Sequence, residues 1–380
     1  MKVADNLLAG RGFGGIWDNA QSVPTQPLLL AGLALLFGKQ YTLFRVAFAL
    51  LGALTCVLGT LLARRLFGPF AALIAGVMLA LYPQLVYLSI LFEYPQALFM
   101  LLMAAFFVAV YAWVDTGRRW LPSAAGVLFG FAVLTVPTVL AFLPVVIVCL
   151  TWRAGTRALP ALLVLLFCAA LPVTAWGLRN ERAYGEFILV NKAAGSNFWM
   201  SNNATYYEYG KAGVVPVCAP GYEFTPFCIE WSEVAEHVLA AKLDDLAAVN
   251  AYEQAGWAHG KAFISESPGR TAELVVRKFA LFWGPLPDSV QLSDANVPVA
   301  RTLGSVITYV PVLVLALVAC WWQRRRWREL LLLWGYIAAL SAPYCLLLPV
   351  MRYRLPIDFL LLVFAGAAIA RGLAPRSSTA

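Results

Sequence analysis

LPSAAGVLFGFAVLTVPTVLAFLPVVIVCL, Leu121–Leu150, is too long an apolar run for one ordinary membrane helix, and it carries Pro137 soon after Thr135. A span takes about 17–25 residues, and an interior proline deletes a backbone donor and clashes with the preceding turn. The pattern predicts two short helices, 121–136 and 138–151, followed by Arg153 and Arg157. One helix or two is the deciding choice, because it sets the side on which every later segment emerges.

Outward from this stretch, further apolar runs end in arginine. Tyr41–Ala63 stops at Arg64 and Arg65. Pro69–Tyr82 leads to Pro83 and a short polar mouth, Gln84–Pro95. Gln96–Val114 stops at Arg118 and Arg119, and Leu159–Leu178 follows the hairpin. Thr302–Trp322 stops at Arg324, Arg325, Arg326 and Arg328. Leu330–Val350 and Leu355–Ala370 complete the set, with Arg371 and Arg376 in the tail. The reading is nine spans. Short cytoplasmic loops collect Lys and Arg, and with the hairpin all twelve of these arginines fall on one side. A single helix at 121–151 would set Arg64/Arg65 and the tetra-arginine loop on opposite sides.

The expected fold class is therefore an all-α polytopic membrane protein of about nine transmembrane helices, with one large mixed extracytoplasmic domain between spans six and seven. Residues 1–40 form an extracytoplasmic N-terminal segment with a short interfacial helix at Pro27–Phe37. Residues 41–178 hold spans one to six, 179–301 the periplasmic domain, 302–371 spans seven to nine, and 372–380 a cytoplasmic tail. An outside N-terminus needs either translocation of the tail by the first span or an upstream helix that this chain lacks.

Composition agrees. Hydrophobic residues are 61% of the chain and charged ones 13%, against roughly 45–50% and about 25% in soluble domains. From Arg179 to Asp294 there are fourteen acids and nine bases, while the remainder carries a strong positive excess. That excess sits in short interhelical clusters, which argues for membrane orientation and against nucleic acid. Cys56, Cys149, Cys168, Cys320 and Cys345 lie in apolar runs, whereas Cys218 and Cys228 lie in the polar stretch and could pair in an oxidising compartment. With His237 and His259 the only histidines, no metal-ligand spacing appears. Met1–Gly38 lacks the basic-then-apolar order of a cleavable signal peptide. Within the polar stretch, Ser232 reads as the cap of a helix over 233–264. Ser267-Pro268 starts a second helix running to Trp283 and stopped by Gly284-Pro285, with Leu274, Val275, Phe279, Leu281 and Phe282 as its apolar end.

Three groups could carry chemistry. Glu93, in the mouth LSILFEYPQAL, is the only acid between Asp18 and Asp115. A carboxylate there could orient an acceptor hydroxyl, act as a base or bind a cation. Arg352, Tyr353 and Arg354 stand on the expected outer side, against the positive-inside bias, and the planar guanidinium fork suits phosphate oxygens. The alternative is an ion pair, with Asp358 one turn beyond Arg354. Trp199, Asn202 and Asn203 mix an aromatic ring with amides just past a span, a mixture that suits sugars and also suits any folded loop. Asn203-Ala204-Thr205 matches a glycosylation sequon.

Several blocks together resemble a known family: ADNLLAGRGF, LLARRLFG, FEYP, LTVPT, LRNERAYGEFILV with the following SNN, SPGRTAELVVRKFALFWGP, and RYRLPID. In order and spacing the chain is similar to the GT-C superfamily of polytopic glycosyltransferases, in the bacterial branch related to protein mannosyltransferases and aminoarabinose transferases. The resemblance implies a polyprenyl-phosphate-linked sugar donor, an extracytoplasmic acceptor and a bacterial-type inner membrane. It also implies a cavity lined by the RYRLPID arginines and the acid of the FEYP mouth. The family's catalytic acid normally precedes the block matched by ADNLLAGRGF, so it is missing here, and Asp18 is the substitute to consider beside Glu93. Val136 stands where the family's LTRPT-type motif has arginine. A divalent cation is left open. Two other readings compete: a catalytically impaired homologue serving as a binding or assembly subunit, and a transporter or flippase.

Overall fold

The computed structural model describes residues 2–14, 22–154, 158–211, 246–285 and 299–374. Asp18, Cys218, Cys228, Ser232 and His237 lie outside the described residues. The helices in chain order are α1 Lys2–Leu8, α2 Thr25–Phe37, α3 Tyr41–Phe67, α4 Pro69–Leu81, α5 Pro83–Ser89, α6 Gln96–Thr116, α7 Leu121–Val133 and α8 Leu143–Ala154. They continue with α9 Leu159–Tyr184, α10 Ala194–Ser201, α11 Ala204–Lys211, α12 Leu246–Glu266, α13 Pro268–Trp283, α14 Val299–Trp322, α15 Trp327–Leu346 and α16 Met351–Leu373. Among the described residues there is no strand, so the described part of the expected mixed domain is helical.

Six helical stretches are long and apolar enough to cross a membrane, and a seventh arises if α4 and α5, bent by 57° at Tyr82, count as one. The chain is thus a multi-pass membrane protein. The expected break within 121–151 is seen, with α7, a 3-10 turn Pro137–Phe142 and α8 following one another. Both helices are shorter than a standard span. The break falls where proline forces it: Val136 is extended, at φ −142° and ψ 95°, as a residue before proline must be.

The chain divides into two compact units. One comprises residues 36–173, 306–340 and 355–380. Small residues let its helices approach closely. A Cβ on Gly126 or Gly130 of α7 would lie 2.3 Å or 2.4 Å from the Leu165 or Ala169 carbonyl oxygen of α9. Such small-residue contacts are the usual packing device between helices in lipid. The rings of Phe106, Phe107, Phe129, Phe142 and Tyr336 form a mutual cluster of edge and tilted contacts. Gly68, at φ 91°, makes the turn between α3 and α4, which starts on Pro69. At one end Arg65 donates to both Asp115 oxygens, at 2.7 Å and 2.8 Å, and to Glu329 at 2.6 Å. Arg326 completes this network on Glu329 at 2.6 Å.

The other unit comprises residues 1–35, 174–305 and 341–354. Its α9 end fastens the following segment: Trp176 Nε1 donates to the Val190 carbonyl at 2.9 Å, and Asn180 Nδ2 to the Ile188 carbonyl at 2.8 Å. Phe13, from the ADNLLAGRGF block, packs edge-on against Trp176, and the Arg179 guanidinium lies over both rings. Helices α10 and α12 touch backbone to backbone, where a Cβ on Gly256 would meet the Gly195 carbonyl at 2.6 Å. Glu253 of α12 accepts the Gly195 N–H at 2.7 Å, so an acid caps the positive start of α10.

Candidate functional site

The RYRLPID arginines do not precede the last helix; they form its first turn. Helix α16 starts at Met351, with Pro356 inside. Arg354 is buried, and its Nη1 donates to the Phe282 carbonyl at 2.9 Å and to the Gly284 carbonyl at 2.5 Å. These carbonyls end α13, where the helix dipole favours a cation. Arg354 therefore bolts α16 to the end of α13. Arg352 is half-buried, with its guanidinium over the Tyr353 ring and Nη2 3.3 Å from the Tyr353 hydroxyl. Beneath them the rings are layered: Tyr353 stacks on Tyr344 at 4.7 Å and 3°, and Tyr344 on Phe282 at 5.7 Å and 21°.

Helix α13 matches its sequence expectation, Pro268–Trp283 with Gly284 behind it, although Ser267 makes no side-chain cap bond. Its buried face is Leu274, Lys278 and Phe282. The expected apolar end is split, because Phe279 and Leu281 are exposed. Lys278 is fully buried. Its Nζ donates to Asn202 Oδ1 and to the Leu346 carbonyl, each at 3.0 Å, and sits 5.5 Å from the Tyr206 ring centre. Among the described residues no carboxylate pairs with it. Burial pushes the ammonium down to about 7, offset in part by Cys345 nearby. Sequence reasoning missed this residue. The signal was present, since Lys278 lies four residues from both Leu274 and Phe282, on the buried stripe.

The amide segment joins the same place. Asn202 Nδ2 donates to the Leu346 carbonyl at 3.0 Å and to the Phe198 carbonyl at 2.8 Å. Asn203 bridges the Trp199 carbonyl at 2.8 Å and the Tyr206 N–H at 2.7 Å. Trp199 is buried and stacked on His259 at 5.1 Å. These three residues hold α10 to its neighbours through their polar and ring atoms. Asn203 is buried with both ends of its amide engaged, which leaves the sequon closed. The structure thus brings Asn202 together with α13 and the connector that leads into Arg352–Arg354.

Glu93 belongs to the other unit. It is exposed in the turn between α5 and α6, with no partner among the described residues. Its neighbour Phe92 is buried and stacks on Tyr41 at 5.8 Å. Asp358 is buried one turn beyond Arg354 on α16. Among the described residues no group of three or more His, Cys, Asp or Glu stands together as metal ligands.

No curated protein and no solved structure matches the chain. One family model does, over residues 21–176: dolichyl-phosphate-mannose-protein mannosyltransferase. The match takes in the LLARRLFG, FEYP and LTVPT blocks and Glu93, and it leaves out Asp18, Trp199–Asn203 and Arg352–Arg354. Over those residues the chain is similar to the dolichyl-phosphate-mannose-protein mannosyltransferases, and with its apolar helices it fits a polytopic membrane glycosyltransferase of the GT-C type.

Proposed function

We propose that the chain transfers a sugar from a polyprenyl-phosphate-linked donor to an acceptor on the extracytoplasmic face of a bacterial-type inner membrane. The carrying observation is the cationic first turn of α16, where half-buried Arg352 stands on the Tyr353, Tyr344 and Phe282 rings beside bolted Arg354. Membrane-buried charge is costly and marks function. Arg352 has the exposure to meet a phosphate, and Arg354 has the fixed geometry to hold the turn that presents it. In transfer, the bond from the anomeric carbon to the donor phosphate breaks and one to the acceptor hydroxyl oxygen forms. The hydroxyl proton passes to a base, and polyprenyl phosphate leaves. Glu93, an exposed carboxylate within the matched segment, is our candidate acid or base in its own unit.

The orientation is supported by the meeting of Arg65, Asp115 and Glu329, which gathers the ends of α3 and α6 with the start of α15. Short arginine-rich ends of this kind are cytoplasmic. The test is purified protein with a labelled polyprenyl-phosphate hexose. Donor binding and transfer are expected, with binding weakened in Arg352→Ala. Unchanged binding in the Arg352→Ala, Arg354→Ala double variant overturns the phosphate assignment. Donor binding without transfer to any acceptor favours the assembly-subunit reading.

A further inference from the structure

We propose that Lys278 is a positioning residue that fixes the turn carrying the donor-binding arginines. The proposal rests on the reading just given and adds to it the part that sets the geometry. The Leu346 carbonyl ends α15, and only residues 347–350 separate it from α16. A last-turn carbonyl has no partner within its own helix. This one receives Lys278 Nζ and Asn202 Nδ2 at 3.0 Å and lies 3.5 Å from Ser201 Oγ. Three segments distant in sequence thus meet on the atom that launches the arginine turn.

The arrangement is reciprocal. A cation of α13 ends α15, and a cation of α16, Arg354, ends α13 four residues beyond Lys278. Between these two bolts, Leu348 of the connector packs against the Tyr206, Tyr207 and Leu274 cluster. Remaining freedom of the turn is limited by the Tyr344–Tyr353 stack. Around the amine, α10 supplies neutral Asn202 and Ser201, α11 supplies Tyr206, and α15 supplies Cys345. On α13 itself Glu273 is engaged by Tyr207 and Arg277. A buried lysine bonded only to neutral acceptors is a poor stabiliser, since a methionine would fill the space without a charge to desolvate. Its hydrogen bonds to the Leu346 carbonyl and to Asn202 Oδ1 are what a methionine would lose.

The experiment measures binding of polyprenyl monophosphate to the full chain in detergent by thermophoresis, for wild type, Lys278→Met and Lys278→Gln. Loss of a hydrogen bond to a charged group weakens binding roughly 10- to 100-fold in Lys278→Met. Lys278→Gln keeps an N–H for the Leu346 carbonyl and recovers most of that loss. Equal binding by wild type and Lys278→Met overturns the proposal. Equal loss in Met and Gln variants also overturns it, because the charge would then act on the phosphate directly. A Lys278→Met chain that does not fold overturns it too, since the lysine would then be structural. Failure of wild type to bind the probe instead refutes the proposed function.

Discussion

Replacing Lys278 by methionine should change stability with opposite signs at low and high pH. The side chain is ordinarily protonated below 10.5, and burial brings this down to about 7 in the folded chain. Above 10.5 the amine is neutral in both states, and its burial costs little. As pH falls from 10.5 the unfolded chain takes up a proton that the folded chain refuses, so stability falls. Below about 7 both states are protonated and the loss is complete. At about 1.4 kcal/mol per pH unit, the interval corresponds to roughly 5 kcal/mol. Methionine avoids this charge penalty but leaves Asn202 Oδ1 without its donor, at a cost of about 1–3 kcal/mol. Near pH 6 the variant should be the more stable by about 2–4 kcal/mol, and near pH 11 the less stable by about 1–3 kcal/mol. Thermal unfolding followed by tryptophan fluorescence in one detergent, at both pH values, reads the crossing. A variant less stable than wild type at both would refute the reasoning, because the charge would then be stabilised by something other than the neutral partners seen around it.

Other consequences are narrower. Gly130→Ala should cost about 1–3 kcal/mol, because its Cβ would press on the Ala169 carbonyl and α7 would have to move off α9; a melting temperature equal to wild type contradicts this contact. Glu253→Gln should cost about 0.5–2 kcal/mol and show as faster hydrogen exchange in the first turn of α10, whose N–H groups the carboxylate accepts. Arg65→Ala and Glu329→Gln should be non-additive by about 0.5–3 kcal/mol in a double-mutant cycle, since both belong to one network with Asp115 and Arg326; strict additivity speaks against that network.

The elements bounded by proline and glycine were legible in the sequence. Pro137 marked the break in Leu121–Leu150, and Ser267-Pro268 with Gly284-Pro285 bracketed α13 to the residue, because these residues act through local backbone sterics. The start of α16 was misplaced: Leu355 is the first steadily apolar residue, yet Met351 already begins the helix, because arginines are good helix formers. The site was legible only in part. Arg352 and Arg354 stand out by their charge on the expected outer side, but the bond from Arg354 to Phe282 spans 72 residues and leaves no local trace. Asn202 was singled out as a sugar contact, whereas its partner Lys278 lies 76 residues away. Residue type alone cannot separate an amide that binds a ligand from one that binds a buried amine. Lys278 itself is not singled out by the sequence reading, because the apolar residues around it are read there as a group and not by their spacing of four.

In the proposed function, the first turn of α16 receives the phosphate of a polyprenyl-linked donor. The most direct measurement of this is binding of polyprenyl monophosphate by wild type and by Arg352→Ala, with melting temperature recorded for both. Saturable binding is expected of wild type, with at least about a tenfold loss in Arg352→Ala, the weight of one charge-assisted hydrogen bond, and an unchanged melting temperature. Equal binding by the two proteins would contradict it.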